Sequence, residues 1–159
     1  MDAMTTGWPT AELNPVQRLR VMAAATDAVM YAEQYLEVPA TELWQVASDL
    51  EGELPHLVPT LRSFTMEPGR GDSAWAESHL GHRARFDVLL QPGWCLMQSR
   101  HVIGAMAATP EGSGTRFAVL GGLRGTRLPR LLTPLRALGR TRALRMISRA
   151  HTRTLMRIR

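Results

Sequence analysis

The sequence predicts one α+β domain in which shorter helical segments precede an antiparallel meander and a long C-terminal helix closes the chain. Three observations carry this. The 159 residues suit a single domain, with 45% hydrophobic and 21% charged residues, enough apolar content for a core. From Leu61 to Gly122 the apolar residues recur with period two, interrupted by short turn sequences, Pro68-Gly69-Arg70-Gly71-Asp72, Gln91-Pro92-Gly93 and Pro110-Glu111-Gly112-Ser113-Gly114. After Gly125 the spacing becomes helical.

Taken in order, Met1 to Pro9 has no period and is expected to be flexible. Asn14-Pro15 reads as a helix N-cap followed by proline at the first helical position, with Val16, Leu19, Met22 and Ala23 at helical spacing and an end near Thr26. Tyr31 to Val38, rich in branched and aromatic residues, predicts a strand stopped by Pro39. Thr41 to Glu51 predicts a helix with Leu43, Trp44, Ala47 and Leu50 on one face, stopped by Gly52. Glu53 to Thr60 predicts a second short helix or turn. The candidate strands that follow are Arg62–Glu67, Ala74–Leu80, Arg83–Leu90, Cys95–His101, Ile103–Thr109 and Arg116–Leu120. In Arg83–Leu90 the alternation sets Ala84, Phe86, Val88 and Leu90 on a buried face and Arg83, Arg85 and Asp87 on a wet one. In the last helix Leu128, Leu131, Leu132, Leu135 and Leu138 make one apolar stripe, extended beyond Gly139 by Leu144, Ile147, His151, Leu155 and Ile158. Arg145, Arg149, Arg153 and Arg157 line another face, and Pro134 and Gly139 are expected to kink or split the helix.

Charge is segregated. All 19 basic residues are arginine, as codon usage in a GC-rich, actinobacterial-like genome would give. Through Glu111 the chain holds 14 acids and 7 arginines; after it come 12 arginines and no acid. A basic half of this kind suits an anionic partner, nucleic acid or membrane surface, or a tail that covers an acidic surface of its own domain. Residues 118–159 contain no Phe, Trp or Tyr to stack on bases, which argues against nucleic acid. An arginine stripe beside an apolar stripe resembles an interfacial helix and suits peripheral membrane contact. No apolar run reaches the ~20 residues of a membrane span, no secretory signal is expected, and the single Cys95 can form no internal disulfide, so the expected setting is cytoplasmic. The sequence leaves the oligomeric state open.

Val38-Pro-Ala-Thr-Glu-Leu-Trp44 followed by Ser48-Asp49-Leu50-Glu51, then Pro55-His-Leu-Val-Pro59, Gln91-Pro-Gly93, Met97-Gln-Ser99 and Gly112-Ser-Gly-Thr-Arg-Phe117, resembles in order the START-like (SRPBCC) superfamily of polyketide cyclases and lipid-transfer domains. The resemblance runs from Tyr31 to Arg157, so residues 1–30 read as an N-terminal extension with a short helix and residues 31–159 as the domain. It implies a helix-grip fold, in which a curved antiparallel sheet wraps a long C-terminal helix, with two short helices and an apolar cavity between. The implied partner is a small hydrophobic molecule, a polyketide, aromatic or lipid. Some members cyclise or dehydrate their ligand and others only bind it, so the fold alone assigns no reaction. No cofactor is implied.

No histidine pair has metal-ligand spacing with a carboxylate or thiol partner, and no phosphate-binding loop is present, so no metal or nucleotide is expected. The candidate acid/base pair is Glu77 and His79, which share a strand face with Trp75. Should that face line the cavity, a desolvated carboxylate would have the raised pKa that general acid work needs. With that face in solvent, Ala76, Ser78 and Leu80 point inward instead. Arg83, Arg85 and Arg100 are candidates for orienting a carbonyl or enolate, although alternation with Phe86 and Val88 points Arg83 and Arg85 outward. The candidate ligand-binding residues are Phe64, Trp75, Phe86, Val88, Met97, Phe117, Leu131 and Leu135, with Trp44 and Trp94 as further candidates; Phe86 and Val88 are expected to face Leu131 and Leu135 across a gap.

Overall fold

The computed structural model describes residues 12–26, 30–124 and 133–159, apart from the side chains of 133–135. Met1 to Pro9, Leu128, Leu131 and Leu132, and the side chain of Leu135, lie outside the described residues. The elements are α1 (Pro15–Ala25), β1 (Met30–Leu36), α2 (Ala40–Ala47), α3 (Leu54–Leu57), β2 (Leu61–Met66), β3 (Ser73–Ser78), β4 (Arg83–Gln91), β5 (Trp94–Gln98), β6 (Val102–Glu111), β7 (Gly114–Leu123) and α4 (Thr133–Ile158). The strands form one seven-stranded sheet in the order β1-β7-β6-β5-β4-β3-β2, antiparallel throughout. β2 to β7 is therefore a continuous meander, and β1 pairs with the last strand. Gly93 (φ 73°) and Gly112 (φ 58°) take the left-handed backbone that the β4–β5 and β6–β7 hairpins require.

The sheet is covered on two sides. On its inner face Phe64, Ala74, Val88, Cys95, Met97, Met106, Phe117 and Val119 form one core with Leu43 and Ala47 of α2, Leu54 and Leu57 of α3, and Ala143, Met146, Ile147 and Ala150 of α4. On its outer face Trp94, Ile103, Ala105, Ala107, Ala118 and Leu120 form a second core with Val16 and Leu19 of α1. β6 and β7 are buried on both faces, which is why Ile103–Ala108 and Phe117–Leu120 read as unbroken apolar runs, whereas β4 alternates. Burying Val16 and Leu19 is worth roughly 1.5–3 kcal/mol each, enough to hold α1 down.

α1 starts where the sequence places it. Asn14 Oδ1 accepts from the Gln17 amide at 2.9 Å and the Asn14 amide donates to Gln17 Oε1 at 3.1 Å, a reciprocal capping box with proline next in line. The helix is tied to the sheet by Arg20, which makes a two-pronged ion pair with Glu33 of β1 at 2.7 and 3.0 Å, while Tyr31 Oη donates to the same carboxylate at 2.6 Å. The Arg20 guanidinium holds the Glu33 carboxyl below the ordinary carboxylate range.

Two expectations for α4 are corrected. The helix is not split: it runs as one element through Gly139, with Pro134 near its described start. Its buried stripe is Gly139, Ala143, Met146, Ile147, Ala150 and Thr154; of the expected continuation only Ile147 is buried, His151 is half-buried, and Leu144, Leu155 and Ile158 are exposed. Small side chains let the helix approach α2, α3, β1 and β7 closely, and the arginine face turns toward acids of the chain's own first half. Arg153 Nε and Nη2 donate to the two oxygens of Glu53 at 2.7 and 3.1 Å, Arg157 Nη2 donates to Glu53 at 2.8 Å and Asp49 at 3.0 Å, and Arg149 Nη1 donates to the Leu57 carbonyl at 3.3 Å. Glu53 is 3% exposed.

Two outcomes follow from this packing. A methyl group on Gly114 would collide with the Leu36 carbonyl and the Tyr35 ring, so Gly114→Ala is expected to lower stability by about 1–3 kcal/mol in urea titration, with the β1–β7 ladder the part that must shift. The Arg153 guanidinium holds the Glu53 carboxyl below its ordinary value of 4.5, against the opposing effect of burial. Glu53 therefore contributes stability that is full above that range and is lost as pH falls through the depressed value. Glu53→Gln should cost about 2 kcal/mol at neutral pH and flatten the acid limb of a stability–pH curve.

Candidate functional site

Strand register determines what the inner face presents. Val88 of β4 pairs with Met97 of β5, Met97 with Gly104 of β6, Gly104 with Gly121 of β7, and Gly121 with Met30 of β1. This row crosses five strands with two glycines at its centre. The Met97 methyl carbon lies 3.6 Å from where a Gly104 Cβ would be, and the Met30 methyl carbon 2.7 Å from the corresponding point at Gly121. The glycines thus leave a trough that two flexible thioether side chains lean into. Glycine within a strand often marks close approach by another group, and methionine is the side chain best suited to fill an irregular space and to vacate it.

Beside this row, Phe64 of β2 and Phe86 of β4 meet with ring centroids 6.0 Å apart, tilted by 56°. Phe64 is buried; Phe86 is half-buried although its strand neighbour Val88 is 5% exposed. α4 packs mainly on β1 and β7 and, on its other flank, on α2 and α3. Phe86, Val88 and Met97 lie on strands beyond those it rests on. Cys95, one residue pair along from the Met97 row, is fully buried, and burial pushes its thiol up to about 12. Thr115, at the β1 end of this face, is also fully buried and donates its hydroxyl to the Val38 carbonyl at 2.7 Å.

Of the sequence candidates, Phe64, Phe86, Val88, Met97 and Phe117 all face inward. Trp75 does not. It pairs with Thr65 and Arg85 on the opposite face, is 39% exposed, and has the Arg83 guanidinium 5.2 Å above its ring. The inward positions of β3 are Ala74 and Ala76, which lie beside Phe86 and Phe64 in the ladder, so the rings of the neighbouring strands fill the space that a tryptophan would need. Glu77 shares the outer face with Trp75 and pairs with Arg62 at 3.5 Å. β3 ends at Ser78, leaving His79 in the exposed turn with its amide donating to the Thr60 carbonyl. Glu77 and His79 are therefore not assembled on the inner face. Leu80 is in the same turn, 85% exposed, and does not point inward. Arg83 and Arg85 face outward, as alternation predicts, with Arg85 bound to Glu67 and Ser73. Arg100 is exposed, Trp44 half-buried against the inner core, and Trp94 on the outer face under α1, with Arg18 over its ring at 4.9 Å. Leu131 and Leu135 fall outside the described side chains. The Gly104–Gly121 trough was missed in the sequence, where the only signal was a pair of strand-interior glycines.

A depression of about 300 Å³ on the outer face is bordered by Thr65, Glu67, Trp75, Glu77 and Arg83. Its two acids are paired with neighbouring arginines, Glu77 with Arg62 and Glu67 with Arg85, and Arg83 lies over the Trp75 ring. Among the described residues no group of three or more histidine, cysteine or acidic side chains could hold a metal ion, and no helix is long and apolar enough to cross a membrane.

An apolar sheet face gripped by a long C-terminal helix, with two short helices beside it, defines a helix-grip protein. The comparisons agree at the level of fold. No family model and no curated protein matches the sequence. Among solved structures, Zhui aromatase/cyclase from Streptomyces sp. R1128 superposes with a TM-score of 0.61 at 13% identity, covering 82% of this chain and 94% of that one. StfQ, the di-domain ARO/CYC of the steffimycin biosynthetic pathway, gives 0.62 at 12% identity over 90% of this chain and 56% of its own. Ara h 8.0201 gives 0.54 at 13% identity over 80% and 97%. The chain has the helix-grip fold that these solved structures share.

The buried inner face makes Cys95 a reporter. Its thiolate fraction near pH 8 is on the order of a thousandfold below that of a free cysteine. Maleimide labelling of the native protein should be slower by at least that factor, and unfolding in urea should restore the ordinary rate.

Proposed function

We propose that this protein binds a small hydrophobic molecule, aromatic or polyketide-like, against the inner face of its sheet, with Phe64, Phe86, Val88, Met97 and Phe117 as contacts. The observation that carries the proposal is the inner face over Gly104 and Gly121, where no side chain rises from the backbone and the ends of Met97 and Met30 lean in, with the half-buried Phe86 two strands away from Gly104. Ligand sites of this kind are mostly apolar with few polar groups. That two solved proteins of this fold are named as aromatase/cyclases supports an aromatic or polyketide class of ligand. The described inner side chains supply ring contact, dispersion and polarizable sulfur. They hold and shape a ligand, and any cyclisation or dehydration would be promoted through the conformation they impose on it.

N-phenylnaphthylamine is the probe. Its fluorescence should rise saturably with protein, and the melting temperature should climb with probe concentration; a hundredfold excess over Kd stabilises by about 2.7 kcal/mol. Val88→Trp should abolish binding and leave the protein folded, because the indole takes the ligand's volume. Glu77→Gln and His79→Ala, on the outer face and in the exposed turn, should bind as the parent does. An interior that is solid would give the opposite result: no probe binding by the parent, and a Val88→Trp variant destabilised by roughly 1–3 kcal/mol through overpacking.

A further inference from the structure

The apolar stripe that the fold does not use lies on α4. Leu144, Leu155 and Ile158 fall at i, i+11 and i+14, nearly one line along a helix of 3.6 residues per turn, and are 36%, 39% and 51% exposed. By the same periodicity Arg140 flanks this line on one side and Arg145 on the other, and Arg159 follows directly after the end of the helix; all three are exposed. The helix holds no acidic residue, and the chain holds none after Glu111. Three arginines on the opposite flank, Arg149, Arg153 and Arg157, are already bound to Leu57, Glu53 and Asp49 around α3. The outer flank therefore combines exposed leucine and isoleucine with cations that have no acid within their own helix, the pattern of a helix that lies in a membrane interface.

We propose that this flank of α4 docks on an anionic lipid surface, the apolar line entering the headgroup region and the flanking arginines meeting lipid phosphates. A second copy of the chain fits less well, because pairing two such flanks would bring like charges together with no acid on either helix. Nucleic acid would use the arginines and leave the apolar line in water.

The test uses the full chain in vesicle co-sedimentation. It should bind vesicles containing phosphatidylglycerol and not phosphatidylcholine alone, and added salt should weaken the binding. Arg140→Gln, Arg145→Gln and Arg159→Gln should each reduce partitioning by about fivefold. Leu155→Ser with Ile158→Ser should reduce it at least tenfold, while a cooperative circular-dichroism melt shows that the variant is still folded, since the two side chains are 39% and 51% exposed. Several results would overturn the proposal: no sedimentation with anionic vesicles; binding that survives the Leu155→Ser/Ile158→Ser change, which makes it charge alone; duplex DNA bound as tightly as the vesicles at physiological salt; or a dimer in sedimentation velocity that the same double change dissociates, which would assign the stripe to contact between copies.

Discussion

The grip of α4 on the rest of the molecule turns on one carboxylate. Glu53 is sunk where α3 begins, and an unpaired buried carboxylate is costly enough that it would rather take up a proton. Three N–H groups from Arg153 and Arg157 satisfy it, and this ties α4 in height and rotation to the start of α3. A buried ion pair of this sort is weak evidence of net stability; its contribution lies in which arrangement it permits. α3 has four residues and could not persist alone. Carboxylate, short helix and long helix thus fix one another, and with them the distance between α4 and the inner face of the sheet.

That distance matters because the sheet is unevenly covered. β6 and β7 lie between α1 on one side and the inner core on the other, so the centre of the sheet is a double-layered support. β3 and β4 have solvent on their outer face and lie past the strands on which α4 rests. Local opening is easiest where the fewest apolar layers must separate. Here that is the side on which Phe86 is half-buried, beside the methionine-filled trough. A firm backing and a softer margin are both present in one sheet, and the register puts the candidate ligand contacts at their junction.

How much of this could be read in advance varied with how local the signal is. Period-two alternation and glycine turns are local, and they predicted the meander, its hairpins and the long last helix. Which face of a strand is inside is not local. β3 allows either face inward from its sequence, and the choice is made by Phe64 and Phe86 on the flanking strands, which occupy the interior beside Ala74 and Ala76. The stripe of α4 fails for a related reason: leucine outweighs alanine in any hydrophobicity pattern, whereas a helix held by arginines against a neighbouring turn must approach closely and selects Gly139, Ala143 and Ala150. The segregation of acids and arginines was plain in the chain, and one of its readings, a tail that covers its own domain's acids, holds for Arg153 and Arg157. Choosing among the readings needed Glu53 and Asp49 to be brought beside α4 from 100 or more residues away.

The chemistry of the inner face also limits how selective a ligand site there can be. Methionine, phenylalanine, valine and alanine discriminate by shape, and a wall of that kind separates ligands differing by one methylene by only about 1–3 kcal/mol. Two of its members, Met30 and Met97, are long and unbranched, which relaxes the shape requirement further. Such a site recognises a class of molecule, apolar and compact, more readily than an individual one. Apolar molecules of that class concentrate in bilayers. A helix that grips the site on one flank and presents leucine, isoleucine and arginine on the other would bring the site to the place where its ligands are found, so that location supplies selectivity the pocket wall lacks.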